Sequence, residues 1–397
     1  MLVKRYLFTS LLILLLGIMV PAAVAAEDQA DSESDAAFTL QEAMQSLDLK
    51  AMDEYKSMID GEVNSYLQQK PVSAWIADFI KGDWNFDLQE TARNLLQFFF
   101  KEVTANSGLL GKLIVLSVLA ALLINLQTSF SSGVAKVSYM ACFLALCAIA
   151  LGSFKVVLSI GQNTIDNMVA FMLGMLPQMM VLVAGLGNIN TSVMLFPVLM
   201  TTATAFANAI KNIVFPLIIM SAILHLVNHM SDTVKVERLA KFFTQMAQIC
   251  LGFFVTIFVG MVTLRALYGA VLDKVALRTT KFITDNTIPI IGKMVSDTLE
   301  VAAGYVVMLK QALGIFGVLI VFGLIIFPLL KIAAIALIYR LTAALVEPMG
   351  DARTAAFLEI MSTHLLLMLA AIAAVGLMFF IMIAIVAGIS NSMYMLN

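Results

Sequence analysis

Apolar residues recur at helical spacing in the first part of the chain and then merge into long unbroken runs. Leu40, Met44, Leu47 and Met52, then Tyr55, Ile59, Val63 and Tyr66, fall roughly three to four residues apart, the period of one helix face. Pro71 breaks that pattern. A second helix is expected from Ser73, with Trp75, Ile76, Phe79 and Ile80 on one side, ending at Gly82. Asp87 is placed to cap a third, which carries Leu88, Leu95, Leu96 and the run Phe98, Phe99 and Phe100. Three consecutive phenylalanines are too apolar to face water, so this third helix is expected to lie along a membrane.

From Leu109 the pattern changes. The runs 109–128, 137–158, 168–187, 247–269 and 364–389 each have about the 20 apolar residues that a helix needs to cross a bilayer. Residues 193–230 are interrupted only by Lys211 and Asn212, and residues 312–346 only by Lys331. A straight helix of 35 residues would be about 52 Å long against a hydrocarbon core of about 30 Å. Each region is therefore expected to fold into a tight hairpin, to enter and leave on one side, or to lie partly in the interface. Five, seven or nine spans follow, according to how many of the two regions re-enter. All three counts put the C-terminus on the side opposite the N-terminal segment.

The fold class is thus all-α, a polytopic helical membrane protein with a small N-terminal helical domain. Composition agrees: 61% of the 397 residues are hydrophobic and 13% are charged, about half the charged share of a soluble domain. A soluble enzyme, a disordered chain and a nucleic-acid binder are excluded for the main body. The net charge of −2 conceals a division. Residues 27–108 carry 6 Lys/Arg and 16 Asp/Glu, and residues 109–397 carry 16 and 10.

Residues 1–26 read as a secretory signal peptide, with Lys4 and Arg5 before the apolar run Tyr6–Val20, and Ala23, Val24 and Ala25 as small residues for cleavage. Residues 27–37 (EDQADSESDAA) read as an acidic disordered tether. Residues 38–108 then form a helical domain, expected outside the cytoplasm because the chain behind a signal peptide is translocated. Lys/Arg counts in the loops do not confirm that orientation.

Few residues carry candidate chemistry. Cys142, Cys147 and Cys250 sit in apolar runs and read as buried free thiols. His225 and His229 share a helix face, but Leu226 stands where a metalloprotease would place its glutamate, so the pair reads as structural. His364 reads as a boundary residue at a helix start. No catalytic, metal or cofactor site is expected, and no nucleotide-binding loop is present. Helix breaks recur at Pro197, Pro216 and Pro328, each after a phenylalanine. Thr201, Thr202 and Thr204 follow the first break and are candidates to re-satisfy freed backbone groups or to line a polar path. Arg340 lies deepest in its apolar region and is the candidate for a buried or pore-facing cation.

The most distinctive polar stretch is 270–300. Leu272, Val275, Ala276, Phe282 and Ile283 can share one face, with Asp273, Lys274, Arg278, Lys281 and Asp285 largely elsewhere. That pattern predicts an amphipathic helix at the membrane surface, broken by Asn286, Thr287, Ile288 and Pro289. Arg278, Thr279, Lys281, Phe282, Asn286, Pro289 and Gly292 are its candidate docking or gating residues; the alternative is a connector lying in the headgroups.

The run from Ala276 to Met294 (ALRTTKFITDNTIPIIGKM) closely resembles the stage III sporulation protein AE family of endospore-forming Firmicutes. Leu109–Leu119, Ile213–Ile223, Met230–Asp232, Gly314–Gly317 and the break at Phe327 and Pro328 support the likeness. The resemblance implies a permease-like membrane component of a mother cell-to-forespore channel complex, required for sporulation and late forespore gene expression. It implies as partners the other stage III A sporulation proteins and, across the intermembrane space, the forespore stage II Q protein. A stand-alone secondary transporter and a non-conducting scaffold for a secretion-like ring remain as alternatives.

Overall fold

The computed structural model describes residues 50–63, 72–80, 88–129, 133–230, 235–287 and 292–389. The expected signal peptide and acidic tether lie outside them. The described residues are helical and contain no strand: α1 (Lys50–Val63), α2 (Val72–Ile80), α3 (Leu88–Ala105), α4 (Ser107–Ser129), α5 (Gly133–Gly185), α6 (Ile189–Ala209), a π turn (Ile210–Val214), α7 (Phe215–Met230), α8 (Glu237–Thr287), α9 (Gly292–Val346), a 3-10 turn (Glu347–Met349) and α10 (Ala352–Ala387).

Side-chain pairs fix how these helices run. Along α10, Asp351 meets Tyr139, Phe357 meets Phe143, and Ile372 lies against Gly161, so α5 and α10 run parallel. Ser362 bonds the Ala336 carbonyl, Gly376 faces Ile325, and Lys310 reaches the Ile389 carbonyl, so α9 runs against α10. Ser221 meets Ala240, Phe206 meets Phe254, and Thr191 meets Gly269, so α6 and α7 run against α8. Phe98 packs on Phe327, and Asn125 bonds the Met349 carbonyl, so α3 and α4 follow the direction of α9. The bundle therefore has six rods in alternating direction: α3–α4, α5, α6–α7, α8, α9 and α10. Two tight turns use glycine in the left-handed region, Gly187 (φ 82°) and Gly350 (φ 90°), where a Cβ would be strained.

Among the described residues six helices are long and apolar enough to cross a membrane: 107–125, 137–185, 189–230, 237–273, 306–349 and 352–387. This departs from the odd counts expected above, for two reasons. The stretches 137–158 and 168–187 are parts of one helix, because the residues between them are polar without breaking a helix; Thr164 donates back to the Ile160 carbonyl at 2.7 Å and the chain stays helical. The regions 193–230 and 312–346 do not fold back on themselves either. A π turn precedes Pro216, and Pro197 and Pro328 are carried inside continuous helices. Packed neighbours accommodate what an isolated helix would not.

An even number of rods brings both ends of the bundle out together. The α5–α6 turn, the start of α9 and the end of α10 lie at one end; the α7–α8 and α9–α10 turns lie at the other. Among the described residues the start of α3 and the end of α10 thus lie at one end of the bundle, whereas the odd counts expected above place the C-terminus opposite the N-terminal segment. Cysteines placed at Lys235 and Glu347 are expected to react with an impermeant maleimide from one face of the membrane, and a cysteine at Ile189 from the opposite face. Labelling of all three from one face would contradict the six-rod arrangement.

The N-terminal helices share the bundle's core. Met52, Val72, Trp75 and Ile76 are buried within it. Tyr55 meets Phe171 of α5 at 5.7 Å between ring centroids, and Trp75 and Phe79 flank Phe316 of α9 at 5.6 and 6.1 Å. Asp53 accepts from the Val72 backbone N–H at 2.8 Å, tying α1 to α2.

Candidate functional site

Polar groups inside an apolar bundle are costly unless paired. In this chain they gather at four levels. At one end the Asp351 carboxylate is fully buried and begins α10. Its Oδ1 accepts from the Thr354 backbone N–H at 3.0 Å and from the Tyr139 hydroxyl at 3.2 Å, and its Oδ2 accepts from the Thr354 hydroxyl at 2.5 Å. One carboxylate thus caps a helix and ties it to α5. Asp351→Ala is expected to remove the cap and strand the Tyr139 hydroxyl, lowering stability by about 3 kcal/mol. Asp351→Asn keeps a capping oxygen and is expected to lose less; thermal unfolding in detergent measures the difference.

The opposite end repeats the device between helices. Asp273 of α8 is buried and accepts from the backbone N–H groups of Asn190 and Thr191, both at 3.0 Å. It caps α6 from another helix, satisfying two of its unpaired donors. Gly269 permits the approach, because a Cβ there would stand 3.0 Å from the Thr191 Cα.

At mid-height Lys211 donates to Asp166, with Nζ 2.5 and 2.8 Å from the two carboxylate oxygens. Lys211 lies in the π turn, and π turns widen the helix and re-aim the side chains within it. The pair bridges α5 and the junction of α6 with α7.

The fourth level is a histidine–hydroxyl cluster between α7, α8 and α10. The buried rings of His225 and His364 meet edge to face at 5.3 Å. His364 Nε2 lies 2.9 Å from Ser221 Oγ, and Nδ1 lies 2.8 Å from the Ile360 carbonyl. That carbonyl only accepts, so Nδ1 carries a hydrogen. Ser221 Oγ also lies 2.9 Å from the Ala240 carbonyl and 2.5 Å from Thr244 Oγ1. Beside the cluster is a cavity of about 200 Å³ lined by His225, Lys241, Thr244, Gln245, Thr363 and His364. Ser221 is not in its wall and is fully buried, so the serine–histidine pair does not present a nucleophile to the cavity.

The residues singled out in the sequence fall in different places. Thr201 donates to the Pro197 carbonyl, Thr202 to the Val198 carbonyl at 2.6 Å and Thr204 to the Met200 carbonyl at 2.8 Å. Their hydroxyl protons thus serve their own helix, and none reaches Val193, whose carbonyl loses its partner to Pro197. Pro216 follows the π turn, and Phe215 beside it is fully buried. Arg340 is exposed on α9 rather than buried. Arg278, Thr279, Lys281, Phe282 and Asn286 continue α8 as far as Thr287, and Gly292 begins α9; Pro289 and the side chains of this segment lie outside the described residues.

His229 Nδ1 donates to the His225 carbonyl at 2.7 Å, and the ring of His225 meets His364 rather than His229. Among the described residues no three His, Cys, Asp or Glu side chains converge as a metal site. His364 is no boundary residue: it lies well inside α10 and is buried. Its role was not legible, because the run 364–389 starts with it only when hydropathy alone marks the helix. Asp166, Asp273 and Asp351 were also missed as linking residues. The one available signal was that each acid stands close to a long apolar run, where a charge requires a partner.

The sequence model of the family described as stage III sporulation protein AE matches residues 71–390. Stage III sporulation protein AE of Bacillus subtilis (strain 168) is 33% identical over 399 residues, covering 99% of this chain and 100% of that protein. No solved structure matches.

Proposed function

This chain belongs to the stage III sporulation protein AE family, and on that premise we propose that it is the permease-like membrane component of a channel complex between mother cell and forespore. In this reading it works with other stage III A proteins and, across the intermembrane space, with the forespore stage II Q protein. It sits in the mother-cell membrane around the forespore, moves material and makes or breaks no covalent bond.

The observation that carries the reading is the Asp166–Lys211 pair, an ion pair beside a π turn at mid-height of two long, largely apolar rods. Ionisable side chains kept within spanning segments mark ion and substrate pathways. In this reading the Asp351 end, where the α7–α8 and α9–α10 turns lie, faces the cytoplasm. The N-terminal helices and the C-terminus then face the intermembrane space, where α1, α2 and the segment 270–300 are the surfaces offered to partners.

Removing the chain from a spore-former that carries it is expected to abolish heat-resistant spores, and the tagged full chain is expected to copurify with other stage III A proteins from sporulating cells. Liposomes holding this chain alone are expected to show no solute uptake. Uptake by them would establish a stand-alone transporter. Normal sporulation with Asp166→Asn and Lys211→Met combined would establish a scaffold that conducts nothing.

A further inference from the structure

We infer that the Ser221–Thr244–His364 cluster is a proton-binding site, with the ring of His364 as the group that takes the proton. The inference rests on a count of hydrogens. Four close contacts meet there: His364 Nδ1 with the Ile360 carbonyl at 2.8 Å, His364 Nε2 with Ser221 Oγ at 2.9 Å, Ser221 Oγ with the Ala240 carbonyl at 2.9 Å, and Ser221 Oγ with Thr244 Oγ1 at 2.5 Å. Each needs one hydrogen between its two heavy atoms. A neutral imidazole brings one N–H and each hydroxyl brings one O–H, which makes three.

With a neutral ring, one contact therefore sets lone pair against lone pair. If Ser221 donates to His364, its oxygen faces the Ala240 carbonyl bare. If Ser221 donates to Ala240, the bare contact moves to Nε2. Thr244 also lies 3.2 Å from the Ala240 carbonyl, but turning its hydrogen there empties the 2.5 Å contact with Ser221, and the shortfall remains.

The imidazolium supplies the missing hydrogen. Nδ1–H donates to Ile360, Nε2–H donates to Ser221, the Ser221 hydroxyl donates to Ala240 and the Thr244 hydroxyl donates to Ser221. Ser221 then accepts two hydrogens and donates one, which is its full capacity. A hydronium ion gives up one proton to Nε2 and leaves as water, and no other bond changes. Thr244 and His364 both line the cavity, so the proton has an entry.

The charged groups around the cluster leave the proton to be held by oxygen atoms. On α7 they are His225 and His229; on α8, Glu237 and Lys241, paired with each other at 2.5 Å. On α10 they are Arg353, whose Nε donates to the His229 carbonyl, and the exposed Glu359. α9 brings Arg340 and α5 brings Lys155, both exposed. The protonated cluster joins α7, α8 and α10 through charge-assisted bonds, so packing near the Asp351 end tightens as the proton binds and loosens as pH rises.

The test is nitrogen-15 NMR of the full chain in lipid bilayers with labelled histidine, titrated between about pH 5 and pH 9 around the ordinary histidine range. The chain has three histidines, so single Gln variants assign the signals by elimination. The His364 ring is expected to carry hydrogens on both nitrogens on the acid side and to lose one as pH rises. Ser221→Ala is expected to weaken its proton affinity about tenfold, the loss of one hydrogen bond to a charged group. Thr244→Val, which keeps the shape and deletes the hydroxyl, is expected to act in the same direction. A His364 ring that keeps a single hydrogen throughout the folded range would overturn the inference, as would an affinity unchanged in both hydroxyl variants. Because those variants are small and probe the same ring, the test stands even if His364→Gln does not fold.

Discussion

Replacing Trp75 by alanine is expected to release α1 and α2 from the bundle while the six rods stay folded. Trp75 is 7% exposed. One face of its ring packs on Phe316 at 5.6 Å, and the Lys56 ammonium lies 4.8 Å from the ring centroid. A buried tryptophan truncated to alanine costs about 3–5 kcal/mol, and the contact with the buried Lys56 adds about 2 kcal/mol as a desolvated cation–π pair. That loss falls on two short helices, of 14 and 9 residues, whose remaining buried anchors are Met52, Val72 and Ile76. They are joined to each other by the bond from Val72 N–H to Asp53, but their attachment runs through aromatic contacts with Phe171 and Phe316. Hydrogen exchange of the full chain in detergent should show fast exchange confined to 50–80, with the rods still protected. Uniform loss of protection along α5 and α9 would instead make α1 and α2 integral to the bundle's stability. If partners engage this face, the same variant is expected to lose copurification before it loses insertion in the membrane.

The second large effect concerns Lys211. Lys211→Met leaves Asp166 without its ion-pair partner. Removing one partner from a fully buried pair costs about 3–5 kcal/mol. With side-chain exposures of 22% for Lys211 and 52% for Asp166, about 2 kcal/mol is expected. Asp166→Asn is expected to cost less, because a lysine can snorkel along its own stem. Asp166→Asn combined with Lys211→Met is expected to recover most of the stability, since no unpaired charge remains. Thermal unfolding of the four proteins in one detergent gives the coupling. Additive losses would mean that the two side chains do not act as a pair. Stability and function separate here: if the pair marks a conducting path, the double variant folds but fails to support sporulation.

Much of the fold was legible because its cause is local. Hydropathy runs of about 20 residues mark helices able to cross a bilayer whatever they pack against. The order of the N-terminal helices also followed from local signals, with Pro71 between the first two and Asp87 ahead of Leu88. The number of rods was not legible. A polar stretch such as 159–167 looks like a boundary to any hydropathy scan, yet polarity alone does not end a helix, and Asp166 has Lys211 to satisfy it. The same blindness affected the regions 193–230 and 312–346, where a span too long for the bilayer suggested a fold-back that packing against neighbouring helices makes unnecessary.

The candidate residues divide in the same way. Thr201, Thr202 and Thr204 were visible as hydroxyls near a proline, but only the helix geometry shows that they bond their own carbonyls. Ser221, Thr244 and His364 come from three helices and are up to 143 positions apart, so no spacing rule could join them.

The amino-acid sequence by itself determined that this chain is helical, apolar over most of its length and acidic at its front, because those properties depend on each residue's affinity for water and on its near neighbours. The tertiary structure alone decided that six rods alternate in direction, that Asp351 and Asp273 cap helices at opposite ends, and that a serine, a threonine and a histidine share too few hydrogens. Those facts depend on distances between segments far apart in the chain, and only the packing of one rod against another sets such distances.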